Sequence, residues 1–203
     1  MNENREYRSF EILKREKTES EDYIVEGYAS TFERYLLYRD GDYEVYEQID
    51  EHAFDEADFS DCVFRVDHTG QVYARTSAGT VQIEINENGL HNVTDLSKTA
   101  KGRALYEDIV AGNYPQMSFA FTVSEERYDK NNHTRIIDRI DKVFDISPVT
   151  WPANPTTSLS ARSQEFVNGA IDEQKAERLE AERRSKALER IAKFTKQEDI
   201  PNE

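Results

Sequence analysis

A mainly β body followed by a helical tail is the fold class that three features of this 203-residue chain predict. Between residues 7 and 150, β-branched and aromatic residues recur in short runs with a period of two, separated by turn residues. Within that span only Ser97 to Gly112 carries a helical period. Beyond Arg162 the composition changes: Gly is absent after Gly169, and Ala, Glu, Lys and Arg dominate through Lys196. Residues 1–162 are therefore expected to form the β domain, and residues 163–203 a helical, partly disordered tail.

Taken in order, residues 7–15 and 22–32 read as two strands joined by a charged turn, and so as a hairpin. Asp40-Gly41-Asp42 is a turn signal leading into the alternating run Tyr43 to Ile49. Asp50 to Asp61 is acidic with only Phe54 and Phe59 as large apolar anchors, and it lacks the ligand spacing and central Gly of a calcium loop, so it reads as a solvated loop or short helix. Cys62 to His68 is the next strand, and its alternation places Cys62, Phe64, Val66 and His68 on one face. Residues 80–85 and 90–96 flank Asn86-Glu87-Asn88-Gly89, a hairpin signal, with His91 beside the turn and expected to be exposed. In the single helix, Ser97 or Thr99 can cap the start, Ala100, Ala104, Leu105, Ile109 and Val110 form the apolar stripe, and Gly112 ends it. The chain then runs through Tyr114-Pro115 into the Ser118 strand, then Thr122 to Tyr128, a polar turn holding a solvent-facing His133, a strand from Thr134 to about Ile140 and another from Lys142 to Thr150. In that last strand Val143, Asp145 and Ser147 share one face, and Phe144 and Ile146 the other. Two prolines, Pro152 and Pro155, end the sheet.

Composition excludes several functions. The net charge of −15 disfavours nucleic acid and anionic membrane as partners, since both would repel the chain. That charge lies in the body, with 17 basic against 31 acidic residues in positions 1–161, whereas the tail is nearly neutral at 9 against 10. Cys62 stands alone and cannot form an intrachain disulfide, no apolar run reaches the length of a membrane span, and residues 1–6 lack a signal peptide's apolar core. A reducing, cytoplasmic setting is the expectation. No phosphate loop, dinucleotide fingerprint or metal-binding spacing occurs, so no cofactor is expected.

The stretch from Tyr114 to Thr122 alternates most sharply. Met117, Phe119, Phe121 and Val123 fall on one face, and Ser118, Ala120 and Thr122 on the other. A bare face with a hydroxyl leaves room for a substrate at Ser118, and it equally suits a crowded barrel interior. His68, Ser118 and Asp145 supply the three groups of serine hydrolysis: a hydroxyl that needs a base, an imidazole that is one near neutral pH, and a carboxylate that orients the imidazole. Strand periodicity does not bring the three together, and there is no Gly-x-Ser-x-Gly elbow of the α/β-hydrolase kind.

Four blocks in order resemble the prohead (capsid-maturation) serine proteases of tailed bacteriophages. They are Val25 to Phe32, Val66-Asp67-His68, Gly112 through Met117-Ser118-Phe119-Ala120-Phe121, and Phe144-Asp145-Ile146-Ser147-Pro148-Val149-Thr150-Trp151-Pro152-Ala153-Asn154-Pro155. The last is the most distinctive, and the likeness spans roughly residues 6–162, leaving the tail uncovered. The resemblance implies a barrel-like fold similar to that of the herpesvirus maturation protease, with His68 as general base, Ser118 as nucleophile and Asp145 as the third member. It implies as substrates and partners the major capsid protein with its scaffold segment, and the enzyme itself, in the immature capsid within the host cytoplasm. Three positions depart from the family's usual pattern: Thr69 where an acid often follows the His, Ala120 where Gly is usual, and Asp145 where Glu is frequent. Asp is shorter than Glu by one methylene, about 1.5 Å of reach, which leaves Asp141 and Asp138 as alternatives for the acid. The competing class is a non-catalytic capsid-assembly or scaffolding protein with the same barrel; a plain β-barrel binding module has no positive motif.

Overall fold

The computed structural model describes residues 5–11, 23–40, 43–151 and 161–197. Among these, ten strands form two sheets: β1 (Glu6–Glu11), β2 (Ile24–Thr31), β3 (Tyr35–Asp40), β4 (Tyr43–Ile49), β5 (Val63–Arg65), β6 (Val72–Arg75), β7 (Val81–Asn86), β8 (Gly89–Asp95), β9 (Gln116–Asp129) and β10 (Thr134–Val149). Two α-helices, α1 (Ala100–Val110) and α2 (Ala161–Gln197), accompany them, and the mainly β expectation holds. The chain divides into two compact units at residue 163.

The larger sheet is built on β10, which pairs antiparallel with β9 along its whole length and, on its other edge, parallel first with β4 and then with β5. Its order is β1-β9-β10-β4-β3, with the β5–β6 pair attached beside β10; the smaller sheet runs β2-β8-β7. One core joins them: Phe64, Phe119, Phe121 and Ile146 of the first sheet cluster with Val25, Ala29 and Leu90 of the second and with Leu105 and Ile109 of α1. At roughly 1.5–3 kcal/mol per fully buried large side chain, this cluster is the main force holding the sheets together.

The hairpin expected of the first two strands does not form. β1 pairs with β9 and β2 with β8, so the two lie in different sheets, and the charged connection, residues 12–22, lies outside the described residues. Gly41-Asp42 and the block from Pro152 to Pro155 also lie outside them, as do the last six residues. The β7–β8 hairpin is as expected, closed by Asn86 opposite Gly89. Gly89 has φ of 143°, and a Cβ there would sit 2.1 Å from the Ser30 carbonyl oxygen, so no larger residue fits. The helix α1 is capped by Thr99, whose side chain accepts from the Gly102 amide. Its buried face is Gly102, Leu105 and Ile109 rather than the expected stripe with Ala104 and Val110, because Gly102 lets the helix approach the Leu96 carbonyl. The two strands expected between Thr134 and Thr150 are one continuous strand.

β1 is anchored by a buried charge cluster that composition alone did not signal. Arg8 and Arg135 share the carboxylates of Glu6 and Glu47, with Arg8 Nη2 at 2.7 Å from Glu47 Oε2 and Arg135 Nη1 at 2.7 Å from Glu6 Oε2. Tyr35 also donates to Glu47, and Arg135 reaches Glu126 at 2.6 Å and Ser163 at 2.8 Å. Four strands of one sheet, β1, β4, β9 and β10, are thus tied by paired charges that are each hydrogen-bonded, the condition under which buried ions are tolerated.

The second unit, residues 164–203, is described through α2 to Gln197. Leu179 and Leu188 on this helix are exposed.

Candidate functional site

Ser118 sits on β9 with paired strands on both sides, opposite Ser9 of β1 and Ser147 of β10. Its alternation is the one expected: Met117, Phe119 and Phe121 lie in the core, and Ser118 and Ala120 belong to the other face.

Asp145 reaches that face through an irregularity. The β9–β10 register pairs Val143 with Phe121 but Asp145 with Ala120, so one extra residue, Phe144, is accommodated in β10. In an unbroken ladder Asp145 would oppose Phe119 and point into the core. The bulge shifts the pairing by one position and turns the carboxylate to the Ser118 side. This corrects the expectation that Val143, Asp145 and Ser147 share a face: Val143 is in the core, and only Asp145 and Ser147 remain together.

His68 also departs from simple alternation. β5 ends at Arg65, and Asp67 and His68 take φ of 45° and 57°, the left-handed region, with Gly70 following at 66°. His68 therefore does not continue the apolar face of Phe64; the turn swings its ring to the opposite side of the sheet. Asp tolerates this conformation better than most residues. Several bonds hold it: the Asp67 amide donates to the Pro148 carbonyl at 3.2 Å, and the Asp67 carboxylate accepts from the Thr150 amide and hydroxyl at 2.9 and 2.8 Å. The His68 amide donates to Ser147 Oγ at 3.3 Å.

The result is one hydrogen-bonded chain. His68 Nε2 is 2.7 Å from Ser118 Oγ, and His68 Nδ1 is 2.6 Å from Asp145 Oδ1. With an ionised carboxylate at Nδ1, that nitrogen carries the proton and Nε2 is free to accept from the serine hydroxyl. Ser118 is wholly buried, and the His68 side chain keeps 15% of its surface exposed, so solvent meets the group at the imidazole. The Tyr7 ring of β1 lies 4.5 Å from the imidazole, tilted by 59°, and adds a wall that the sequence did not announce. Ala120 fits without forcing the three groups apart.

The alternative acids are elsewhere. Asp138 pairs with Arg127, and Asp141 is exposed and accepts weakly from Thr122 at 3.4 Å. Two histidines expected in solvent are partly enclosed: His91 lies 3.2 Å from Glu26 and against Tyr28, and His133 stacks on Tyr43 at 4.2 Å. Neither joins His68. Among the described residues no group of His, Cys, Asp and Glu could hold a metal ion. The Cys62 thiol is pushed up to about 12 by burial and by the Asp145 and Asp61 carboxylates, which makes it a poor nucleophile. Ser147, Asp67, Thr150 and Tyr7 are not site residues on the sequence reading, although Ser147 lies at period-two spacing from Asp145, and Asp67, Ser147 and Thr150 lie within the blocks that carry the resemblance.

A hydroxyl, an imidazole and a carboxylate in serial hydrogen bond on a mainly β scaffold define the serine-hydrolase type of constellation. The family model of the caudovirus prohead serine proteases matches residues 9–170, and the chain belongs to that family. Its members are serine peptidases of capsid maturation, acting within the phage prohead. No curated protein and no solved structure matches the chain. No helix among the described residues is long and apolar enough to cross a membrane.

Proposed function

We propose that this chain is the endopeptidase that cleaves scaffold segments of the major capsid protein, and itself, inside the prohead. Ser118 is the nucleophile, His68 the general base and then acid, and Asp145 the carboxylate that orients it. The observation that carries the reading is the unbroken bond chain from Ser118 Oγ through His68 to Asp145, at 2.7 and 2.6 Å.

In this mechanism Ser118 Oγ attacks the scissile carbonyl while His68 Nε2 takes its proton. The imidazolium so formed is stabilised by Asp145 through Nδ1–H and returns the proton to the leaving amine. Water then attacks the acyl-serine with His68 again as base, freeing the acid and restoring the hydroxyl. The tail, with Leu179 and Leu188 exposed on a helix, serves to dock the protease among scaffold helices before being clipped. Partners are accordingly the capsid protein with its scaffold and a second copy of this chain, with no nucleic acid or membrane involved.

The test is the set Ser118→Ala, His68→Ala and wild type, co-expressed with the capsid protein. Each variant is expected to lose scaffold cleavage and self-cleavage by at least ~10⁴-fold while keeping its circular dichroism spectrum. Unchanged cleavage in both would instead fit a non-catalytic assembly protein.

A further inference from the structure

The Ser147 hydroxyl lies at the junction of the acid and the base without touching the nucleophile's oxygen. It is wholly buried, and its Oγ is 2.7 Å from Asp145 Oδ1 and 3.3 Å from the His68 amide nitrogen. The direction of each bond is fixed by chemistry. An amide N–H can only donate, so Ser147 Oγ accepts from His68, and its single proton is left for the carboxylate. Asp145 Oδ1 therefore receives two donors, His68 Nδ1–H and Ser147 O–H, converging from two sides.

We infer that Ser147 is a positioning residue that locks the Asp145 carboxylate and the left-handed His68 turn into one rigid unit. The inference rests on the reading of Ser118 and His68 given above. Two independent features support it. The first is the Phe144 bulge, which presents Asp145 and Ser147 side by side on the Ser118 face, with Ser147 directly opposite Ser118 in register. The second is the backbone at Asp67 and His68: two successive non-glycine residues at positive φ need ties from outside the turn. The bond from the His68 amide to Ser147 is one such tie, and it is the one that also touches the acid. A serine serving only to fill space on this face would need neither bond.

The experiment measures how fast an alkyl fluorophosphonate phosphonylates Ser118 in the full chain. Wild type, Ser118→Ala, Ser147→Ala and Ser147→Thr are compared across pH, alongside thermal denaturation. In this reaction the Ser118 oxygen bonds to phosphorus, fluoride leaves, and His68 takes the hydroxyl proton, so no peptide substrate is required. Ser147→Ala is expected to slow labelling ~10–100-fold, the loss of one hydrogen bond to a charged group expressed as rate. Its acid limb is expected to move, because the Asp145 oxygen that faces His68 Nδ1 loses both a donor and its fixed orientation. Ser147→Thr, which keeps the hydroxyl, should recover most of the rate. Labelling of Ser147→Ala at the wild-type rate overturns the inference, and so does slower labelling with an unmoved acid limb, which would assign Ser147 to packing alone. If Ser147→Ala does not fold, Ser147→Cys, nearly isosteric and a weaker donor, is read by the same two criteria. Absence of Ser118-specific labelling in wild type overturns the reading of the site itself, and this inference with it.

Discussion

At the scale of single residues, what a buried carboxylate does depends on what faces it, and Glu47 and Asp145 have different neighbours. Glu47 is enclosed among Arg8, Arg135 and Tyr35. Burial alone would raise its pKa, but the two guanidinium groups outweigh that and hold it at about 2 against an ordinary 4.5. A carboxylate with a depressed folded-state pKa contributes stability that is fully present above its unfolded value and is lost as pH falls towards the folded one. Glu6 is shifted in the same direction, with burial opposed by Arg135 and then Arg8. Stability is therefore expected to hold above pH 5 and to decline steeply between about pH 4.5 and 2. Glu47→Gln should cost about 3–5 kcal/mol at pH 7 by leaving two buried cations short of a partner. It should also flatten that decline; urea denaturation at pH 7 and at pH 4 checks both. Asp145 differs in that its partners are an imidazole and a hydroxyl, with no guanidinium beside it.

At the scale of elements, the decisive feature is the bulge at Phe144 in β10. Side chains alternate strictly along a strand, so one additional residue changes which side every later residue faces. Deleting Phe144 is expected to regularise the ladder while leaving Asp145 opposite Ala120, because Val143 and Asp145 then become neighbours on opposite faces. The carboxylate would stay on the side of the sheet that Ser118 faces. The expected readout is retained fluorophosphonate labelling, measured beside the melting temperature. Loss of labelling in a folded variant would show that the bulge itself, and not only the face it selects, positions Asp145. The β5–β6 turn acts in the same way by different means, since positive φ at Asp67 and His68 redirects the imidazole off the line of β5.

At the scale of the whole molecule, the family match reaches residue 170 and the chain continues as a helix to Gln197. The body carries almost the whole net charge, and the tail is nearly neutral with exposed leucines. Removing residues 163–203 is expected to lower the number of protease copies packaged per prohead, measured by immunoblot of purified heads, more than it lowers hydrolysis of a soluble peptide. The reverse pattern would exclude a docking role for the tail. Ser163 belongs to the body, where it bonds to Arg135 at 2.8 Å, so a shorter deletion starting at residue 172 separates loss of that bond from loss of the helix.

What the sequence determined by itself were the local properties. The bare face of the Ser118 strand, the Thr99 cap, the hairpin at Asn86 to Gly89 and the helical tail all follow from spacing of two or 3.6 residues and from turn chemistry. The same is true of the order of blocks that identified the family. Tertiary structure decided everything that depended on pairing between distant segments. It separated β1 from β2, joined two expected strands into β10, buried Arg8 and Arg135 against Glu6 and Glu47, and brought His68, Ser118 and Asp145 within hydrogen-bond distance. The reason is physical. Periodicity reports which side of its own strand a residue occupies, whereas a bulge at Phe144 and two left-handed residues at Asp67 and His68 change that side. Both irregularities are stabilised by bonds to segments tens of residues away. The three site residues were legible as a set of residue types in a recognisable order; their assembly was not, because it depends on two of the places where the backbone leaves its regular period.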